Sequence, residues 1–599
     1  MYFDLIFVAY NSEMWIENCF KSIYECDYER KKINIYVLDN NSTDGTKEKL
    51  KSIQNSYIGE SFASFNIIES DKNLGFGVGN NKAFEAGNSD IAVFLNIDTE
   101  VMADTFIALK KEIENAEDDI AAWEMRQYPY EHPKFYNILS GETSWMSGAA
   151  FAVRRTCFSD IGGFDEKIFM YAEDVDLSWR LRASGKKIKY CPKVGIFHYS
   201  YKEANEVKPN QYLNSIVNNL LLRYRFGGIK DWLWWHASFF SLMSHKGPFE
   251  HSRKMLIKTY FKNICKIPHF FKYRFSSHKK NIAKFIGWDY ELIREGAFYY
   301  NERSKLNPKI SILVRTCQRP SVLRETLISL RNQTYDNFEI VLVEDGEAFS
   351  KKMIEEEFSD LNINYYATNK RGGRSQAGNI AMGRATGDYF NFLDDDDLFY
   401  ADHIETLVRS IERCDEDVSA IYSYAFETPI EIYSREPYSY REVYHNSIYR
   451  QKFNKLMLCH HNYIPIQSIM FRRELYEKYG GFDTRFDALE DWDLWLRYSL
   501  ENDFKEVEKT TSVYRVPYNS TISQERQDFL DSALDFVREK HKNYMVTISA
   551  SEINEQLQSV IDSYYFKVSN EVIGKMQKRM PLIIKLGDRI KNIIKRKFF

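Results

Sequence analysis

Short apolar runs alternate with amphipathic segments along the chain, and the same series occurs twice. Residues 4–11 (DLIFVAYN) and 309–318 (KISILVRTCQ) are each an apolar run that ends in polar residues. Residues 92–100 (AVFLNIDTE) and 389–397 (YFNFLDDDD) form a second such pair. Helical apolar spacing follows the first run of each copy. This alternation predicts a mainly parallel sheet with helices on its faces.

Matching positions of the two copies lie nearly the same distance apart along the chain. Asp98 and Asp396 are 298 positions apart, and Asp174 and Asp491 are 317 apart. Loop insertions explain the drift. The sequence therefore predicts two copies of one α/β domain, a helical linker between them and a helical C-terminal extension. The predicted boundaries are 1–205, 206–305, 306–525 and 526–599.

Composition narrows the class of protein. Of 599 residues, 44% are hydrophobic and 28% charged, which excludes a fibrous or disordered chain. The net charge of −4 disfavours a nucleic-acid binder. Eight cysteines without a CxxC pair form neither a disulfide framework nor a zinc site, so we predict a cytoplasmic protein. No run reaches the ~18 apolar residues of a membrane span, and no signal peptide is predicted.

Acidic side chains follow the predicted strands of both copies. Asp39 and Asp345 end one pair of strands, and Asp98 and Asp396 end another. Because ligands of such sheets bind at the carboxyl ends of the strands, the repeated set predicts a ligand site. Taken singly, each acid could also be a turn former. The four adjacent carboxylates of 394–397 repel one another, and Mg²⁺ or Mn²⁺ would relieve that repulsion.

A Glu-Asp pair opens a predicted helix in each copy, shortly after a GGFD turn. The pairs are Glu173-Asp174 and Glu490-Asp491. A helix N-terminus stabilises carboxylates, so capping is one interpretation. A cap needs only one acid, however, and the pair recurs at the same place in the motif. We therefore predict one orienting residue and one base in each copy.

Together these motifs resemble the family 2 glycosyltransferases, which have the GT-A fold. The first copy, with VLDNNSTDGT, NLGFGVGNN, FLNID and YAEDVDLSWRLR, looks most like the rhamnosyltransferase-type branch. The second, with ISILVRTCQRP, LVEDG, FLDDDDLFYADH and ALEDWDLWLR, looks like the general branch. The resemblance implies two GT-A-like (Rossmann-like) domains and an inverting transfer of sugars from nucleotide-diphosphate donors, with Mn²⁺ or Mg²⁺ as cofactor.

The resemblance also implies roles for single residues of this sequence. Asp174 and Asp491 would be the general bases, supported by Glu173 and Glu490. The residues that would hold the metal are Asn96, Asp98, His198, Asp394 and Asp396. The residues that would contact the nucleotide sugar are Asp39, Asn40, Asn80, Asp345 and Asn379.

Each copy departs from the family pattern in one place. Asn96 replaces the first acid of the metal motif, which predicts weaker metal binding in the first copy. His198 matches a position where this fold often has a metal-ligating histidine, with a packed or capping histidine as the alternative. The second copy has SVYRVPYNSTIS (512–523) there instead. We predict that both copies are active.

Two segments are strongly basic. Residues 251–288 carry ten Lys or Arg, eight aromatic residues and no acid, and residues 575–599 carry nine basic residues and one acid. A basic amphipathic helix is typical of binding to an anionic membrane surface. The alternative is a solvated basic helix packed on the protein. No recognition motif accompanies the charge, so no nucleic-acid partner is predicted.

The leading interpretation is a bifunctional, metal-dependent glycosyltransferase that extends a cell-surface glycan by two transfers. Its acceptor would be lipid-linked, and the enzyme would be peripheral on the inner face of the cell membrane. In the alternative, one domain is active and the other only binds glycan or donor. A nucleotidyltransferase would need a Gly-rich phosphate loop after the first strand, and neither AYNSEMW nor RTCQRPS supplies one.

Overall fold

Two compact units divide the chain, residues 1–301 and 302–599, in the computed structural model of the protein. The structure describes residues 1–131, 134–200, 207–275, 294–296, 306–414, 418–486, 488–558 and 561. The basic segment 575–599 and residues 276–288 lie outside that set. Within it, no helix is both long enough and apolar enough to cross a membrane.

The first unit has eight strands and eleven helices among its described residues. The strands are β1 (Phe3–Ala9), β2 (Ile33–Asp39), β3 (Ser64–Glu69), β4 (Ile91–Leu95), β5 (Thr99–Val101), β6 (Ile120–Tyr128), β7 (Ala150–Arg154) and β8 (Lys187–His198). The helices are α1 (Glu13–Glu25), α2 (Thr46–Gln54), α3 (Tyr57–Ser61), α4 (Phe76–Glu85), α5 (Thr105–Glu114), α6 (Arg155–Asp160), α7 (Glu173–Ala183), α8 (Pro209–Phe226), α9 (Ile229–Ser244), α10 (Ser252–Ile264) and α11 (Ile267–Lys272).

The second unit repeats this series with additional strands. Its strands are β9 (Ile310–Thr316), β10 (Phe338–Glu344), β11 (Ile363–Ala367), β12 (Tyr389–Asp394), β13 (Leu398–Phe399), β14 (Val418–Arg435), β15 (Tyr438–Glu442), β16 (Asn446–Tyr449), β17 (Ile469–Arg472) and β18 (Asp503–Pro517). Its helices are α12 (Pro320–Arg331), α13 (Lys351–Glu357), α14 (Arg374–Arg384), α15 (His403–Glu412), α16 (Lys455–His460), α17 (Arg473–Tyr479), α18 (Glu490–Ser499) and α19 (Ser520–His541).

The two sheets have the same strand order. The first runs β3-β2-β1-β4-β7-β6-β8-β5 and the second β11-β10-β9-β12-β17-β14-β18-β13, with β15 and β16 added beside β14. In each, the first four strands of the order are parallel. The following pairs are antiparallel except for one parallel pair, β6 with β8 and β14 with β18. This repeated order confirms the prediction of two GT-A-like α/β domains.

Alternation along the strands places the core on both faces of each sheet. In β1, Phe3, Leu5 and Phe7 pack into one apolar cluster, and Ile6 faces a second cluster on the opposite side. Strands buried on both faces are continuous apolar runs, which is why β1 and β9 stood out in the sequence. The apolar runs of β1 and β9 end at the corresponding edge of their respective sheets, and polar residues follow there.

Helices follow each sheet domain, as predicted. The helices α8 to α11 belong to the first unit, and apolar side chains of α8 and α11 pack against α7: Leu221, Leu222 and Phe270 meet Trp179. In the second unit α19 follows the last strand of the sheet. The predicted domain boundaries stay predictions. The helices α8 and α11 pack on the first domain, and α19 packs on the second.

Candidate active sites

Strand register shows which residues of the two domains correspond. Ala9 pairs with Asp39 in the first domain, and Thr316 with Glu344 in the second. Asp345 therefore corresponds to Asn40. The pairing of β4 and β12 with the first strands likewise makes Asn96 the counterpart of Asp394, and Val8 the counterpart of Arg315.

Asn40 and Asp345 hold the loop that leads into α4 and α14. Asp345 accepts hydrogen bonds from the backbone N–H groups of Gly372 (2.7 Å) and Gly373 (3.0 Å). Asn40 accepts one from the N–H of Leu74 at 2.7 Å. Gly75 then starts α4 at a φ of 81°, where an added Cβ would lie 2.4 Å from the carbonyl oxygen of Phe169. Both side chains thus shape the loop at the strand ends.

The other predicted nucleotide-binding residues make local contacts. The buried Asp39 accepts a hydrogen bond from the N–H of Ser42 at 3.3 Å. Asn80 donates to the carbonyl of Phe76 at 3.1 Å. Asn379 exchanges two hydrogen bonds with the backbone of Phe482, at 2.9 and 2.7 Å.

The counterpart of Asn379 is Asn81, which the sequence analysis did not single out. Asn81 exchanges two hydrogen bonds with the backbone of Phe164, both at 2.9 Å. Phe164 and Phe482 occupy the same place in the two GGFD turns. These asparagines therefore connect the GGFD turns, which precede α7 and α18, to α4 and α14.

Three predicted metal-binding residues meet in the first domain. His198 Nε2 lies 3.5 Å from a carboxylate oxygen of Asp98 and 3.4 Å from the amide nitrogen of Asn96. On the other side of the ring, Nδ1 lies 2.8 Å from Oε1 of Gln127, which can only accept. This contact puts the ring proton on Nδ1 and leaves the Nε2 lone pair directed toward Asp98.

The chemistry of this set fits a divalent cation. A carboxylate, an amide and a neutral imidazole nitrogen are ligands that Mn²⁺ accepts. Burial acts to raise the pKa of Asp98, but when Nε2 of His198 also carries a proton, its hydrogen bond and positive charge outweigh burial and hold that pKa below its usual value. Among the described residues, however, no three or more His, Cys, Asp and Glu side chains form a metal-binding group.

Arginines neutralise the acids in the second domain. Arg315 makes a two-armed ion pair with Asp394, both contacts at 2.8 Å, and a third contact with Glu490 at 3.0 Å. Only 6% of its side chain is exposed. This buried guanidinium ties the end of β12 to the start of α18.

A second arginine covers the next two acids. Arg319 pairs with Asp395 and lies 3.1 Å from Asp396. Asp395 is fully buried and also accepts a hydrogen bond from Thr316 at 2.6 Å. Asp396 is 40% exposed and is the most exposed acid of this run.

Strand pairing also locates the counterpart of His198. Thr99 pairs with His198 in the first domain, and Leu398 pairs with Val513 in the second. This register puts Tyr514 at the histidine's position, within the stretch 512–523 that the sequence analysis had matched. The second domain therefore has a phenol where the first has an imidazole.

The helices that carry the predicted bases, α7 and α18, both begin after a residue with a strained backbone conformation. The residue before the Glu-Asp pair has a positive φ in each, 68° at Ala172 and 59° at Leu489. Asp174 accepts hydrogen bonds from the N–H groups of Gly148 (3.0 Å) and Val175 (2.8 Å). This geometry fixes the carboxylate at the first turn of α7.

Asp491 is held in a similar way by different donors. It accepts from the side-chain amide of Asn462 at 2.8 Å and from the N–H of Trp492 at 2.9 Å. Asn462 supplies the contact that a backbone group makes in the first domain. Each carboxylate therefore accepts one hydrogen bond from the next backbone N–H and one from the loop before β7 or β17.

Burial makes both carboxylates more basic. It raises the pKa of Asp491 to about 7, and the charge of Glu490 adds to the rise. Burial also raises the pKa of Asp174, and it raises that of Glu173 well above its usual range. A carboxylate with a pKa near 7 can accept a proton from a substrate hydroxyl at neutral pH.

The sequence analysis missed a basic side chain that follows the sheet of each domain. Arg225, near the end of α8, contacts Asp165 (2.5 Å) and Asp176. Lys540, near the end of α19, contacts Asp483 (2.9 Å) and Asp493 (2.9 Å). Each cation links the GGFD turn to the base helix.

The sequence feature that could have identified these two basic residues is the distance between them along the chain. They are 315 positions apart, close to the 317 that separates the bases. Their neighbourhoods, LLLRYRF and LDFVREKH, share no motif. A helix that packs back on the sheet domain thus follows each copy, and most of it lies in the predicted linker or the predicted extension.

Comparisons with known proteins agree with this architecture. The model of "Glycosyl transferase family 2" matches residues 4–176 and 311–480. The uncharacterized glycosyltransferase YwdF of Bacillus subtilis is 29% identical over 261 residues, which are 41% of this chain and 92% of that protein. Glycosyltransferase GlyA of Streptococcus pneumoniae is 33% identical over 122 residues, 20% of this chain and 18% of that protein.

Solved structures show weaker likeness. Staphylococcus aureus TarS 1–349 with UDP-GlcNAc matches with a TM-score of 0.30 and 18% identity, over 36% of this chain and 60% of that one, less than two thirds of its length. Mannosyltransferase PcManGT from Pyrobaculum calidifontis, with GDP-Man and Mn²⁺, matches with a TM-score of 0.29 and 20% identity, over 45% and 72%. The family match covers more than half of this chain, which therefore belongs to glycosyl transferase family 2 and carries two domains of that family.

Proposed function

We propose that each domain transfers a sugar from a nucleotide-diphosphate donor to a hydroxyl of a growing glycan, with inversion at the anomeric carbon. The observation that carries this proposal is the repeated pairing of an acid at a strand end with a buried, hydrogen-bonded aspartate at a helix start. Family membership supplies the reaction class. One domain would add the sugar that the other then extends.

In the proposed reaction, Asp174 or Asp491 takes the proton of the acceptor hydroxyl as its oxygen bonds to the anomeric carbon. The bond from that carbon to the diphosphate oxygen breaks, and the electron pair leaves with the nucleoside diphosphate. The carboxylate must lie within hydrogen-bond reach of the hydroxyl, on the face opposite the leaving group. One attack from that face inverts the configuration.

Asp98, with Asn96 and His198, would hold Mn²⁺ or Mg²⁺ in the first domain, and Asp396 would hold it in the second. When bound, the metal offsets the negative charge of the leaving diphosphate. Asp394 is committed to Arg315, so we assign it the role of holding that arginine between the strand end and Glu490. The role of Asp396 requires Arg319 to give up its contact with that carboxylate.

We further propose that the acceptor is a lipid-linked precursor of a cell-surface glycan, met at the inner face of the cell membrane. The basic helices of the first unit support this location. Membership of the rhamnosyltransferase-type branch stays a prediction for the first domain. The alternative, one active domain beside a glycan- or donor-binding module, is supported by the arginines that occupy the acids of the second domain.

Product analysis tests the proposed function. The full chain is incubated with single nucleotide sugars, and the released nucleotide is identified by mass spectrometry. We expect a nucleoside diphosphate, and a product anomer opposite to that of the donor by NMR. Formation of nucleoside triphosphate and sugar 1-phosphate when pyrophosphate is added would indicate a nucleotidyltransferase, and retention of configuration would contradict the single-step mechanism.

A further inference from the structure

The outward faces of α9 and α10 have an unusual composition. Both helices pack on α8 through one side. Trp235 and Phe239 of α9 and Leu256 of α10 are buried there, in one cluster with apolar residues of α8. Tyr260 of α10 joins the two helices, with ring centroids 6.0 Å from Trp235 and 4.8 Å from Phe239. The sides away from α8 face solvent.

On α9 the solvent side is apolar. Ile229, Leu233 and Phe240 are 66%, 68% and 68% exposed. Their spacing of four and seven residues places them on one stripe, turned away from the buried Trp235 and Phe239. A surface helix normally turns polar residues to water, so this face is inverted.

On α10 the solvent side combines an aromatic ring with lysines. Phe261 is 67% exposed. Lys254, Lys258 and Lys262 lie on the same side at helical spacing, and all three are exposed. The two helices together thus present large apolar side chains next to flexible cations.

The segment that contains these helices has a large excess of positive charge. Residues 229–275 contain nine Lys or Arg but only two acids, Asp231 and Glu250. The whole chain is slightly acidic, with a net charge of −4. These helices are therefore a local excess of positive charge, and it lies where apolar side chains are exposed.

We propose that this face, the outward side of α9 and α10, docks on an anionic lipid surface. Its apolar side chains enter the boundary between headgroups and acyl chains, and its lysines contact the headgroups. The inference extends the proposed function by naming the surface that meets the membrane. It depends on neither catalytic site.

The composition of this face favours an anionic membrane over a second copy of the chain or a nucleic acid. A second copy of the chain would bring a face of the same sign against this one, and like charges would oppose the contact. A nucleic acid would satisfy the lysines but leave Ile229, Leu233 and Phe240 in water. An anionic bilayer satisfies both the charge and the apolar stripe.

Vesicle sedimentation combined with hydrogen exchange tests the proposal on the full chain. The probes are vesicles of phosphatidylcholine alone and of phosphatidylcholine with about one third phosphatidylglycerol. We expect binding to the anionic vesicles at low salt, with slower amide exchange in peptides from α9 and α10. Exposed charges are screened over ~10 Å at 0.1 M salt, so the binding should weaken as salt is added.

Two double variants locate the contact. Leu233→Ser with Phe240→Ser removes apolar area, and Lys254→Glu with Lys258→Glu reverses charge. Each removed lysine should weaken partitioning about fivefold. The matched control is Lys351→Glu with Lys352→Glu, two exposed lysines of α13 that change the net charge equally.

The outcomes separate the proposal from its competitors. Unchanged exchange in α9 and α10, or equal binding by all variants, would overturn it even if the chain binds vesicles through residues 575–599. A concentration-dependent dimer that protects the same peptides without lipid would overturn it in favour of self-association. Because release of nucleoside diphosphate without vesicles reports the sugar transfer separately, failure of docking and failure of the proposed function are distinguishable.

Discussion

The two domains share a fold but compensate the charge of their sites in different ways. The second places Arg315 between Asp394 and Glu490, whereas the first has Val8, Asn96 and Glu173 at the corresponding positions. The arginine and one acid are thus both replaced in the first domain. The remaining Glu173 is buried, and its Oε2 has no hydrogen-bond partner in the described structure.

This comparison gives Asn96 a second explanation. From the sequence, an amide in place of an acid predicts weaker metal binding. From the structure, the acid at this position serves an arginine that the first domain lacks. Position 96 is half-buried, so a carboxylate without an ion-pair partner beside Val8 would be unfavourable there, and an amide carries no charge. The acid and the arginine are therefore present together in the second domain and absent together from the first.

Loss of a base should have the largest effect on activity. Asp491→Asn keeps the size of the side chain but cannot accept the proton, so transfer by the second domain should fall ~10²–10⁴-fold. Asp174→Asn should do the same in the first domain. Initial rates with each donor measure the effect. Asp503→Asn, an exposed acid of β18, is the matched control, and a similar loss there would point to a general defect.

Breaking the Arg315 pair should destabilise the second domain. Arg315→Val leaves the half-buried Asp394 and the buried Glu490 without this cation, which should cost about 3–5 kcal/mol of unfolding free energy. Adding Asp394→Asn recreates the pattern of the first domain and should recover part of that loss. Urea unfolding of the single and double variants measures both values. If the double variant is less stable than Arg315→Val, the pairing of acid and arginine is wrong.

Metal dependence should differ between the domains. Asp98→Ala and His198→Ala should each weaken Mn²⁺-dependent binding of a nucleoside diphosphate to the first domain by about 10–100-fold. Asp396→Ala should do so in the second. Arg319→Ala frees Asp396 and should strengthen the response to Mn²⁺. Calorimetry with and without Mn²⁺ gives these values, and equal affinities without the acids would refute the metal role.

The pH profile should show a smaller, graded effect. Asp491 must be deprotonated to act as a base, so transfer by the second domain should decrease about tenfold per unit as the pH falls below about 7. The Asp174→Asn variant isolates this profile. Glu490→Gln removes the charge that helps to raise the pKa of Asp491, and it should shift the profile to lower pH. A profile that does not move would separate Asp491 from the rate.

Much of this arrangement could be predicted because it is local in sequence. The strand runs, the acids behind them and the repeated Glu-Asp pairs are each contained in one short segment. The contacts of Arg315 could not be predicted in this way, since Asp394 and Glu490 lie 79 and 175 residues away. Only the folded arrangement of strands and helices brings them together. The same holds for Lys540, whose partner Asp483 is 57 positions earlier in the chain.

The central claim is that each domain carries its own catalytic site. Donor hydrolysis without acceptor tests it most directly, because it does not depend on the order of the transfers. Wild type, Asp174→Asn and Asp491→Asn are compared on a panel of nucleotide sugars, with nucleoside diphosphate release as the readout. We predict that each variant loses hydrolysis for one domain and keeps it for the other. A variant that hydrolyses every donor at the wild-type rate would contradict the claim for its domain.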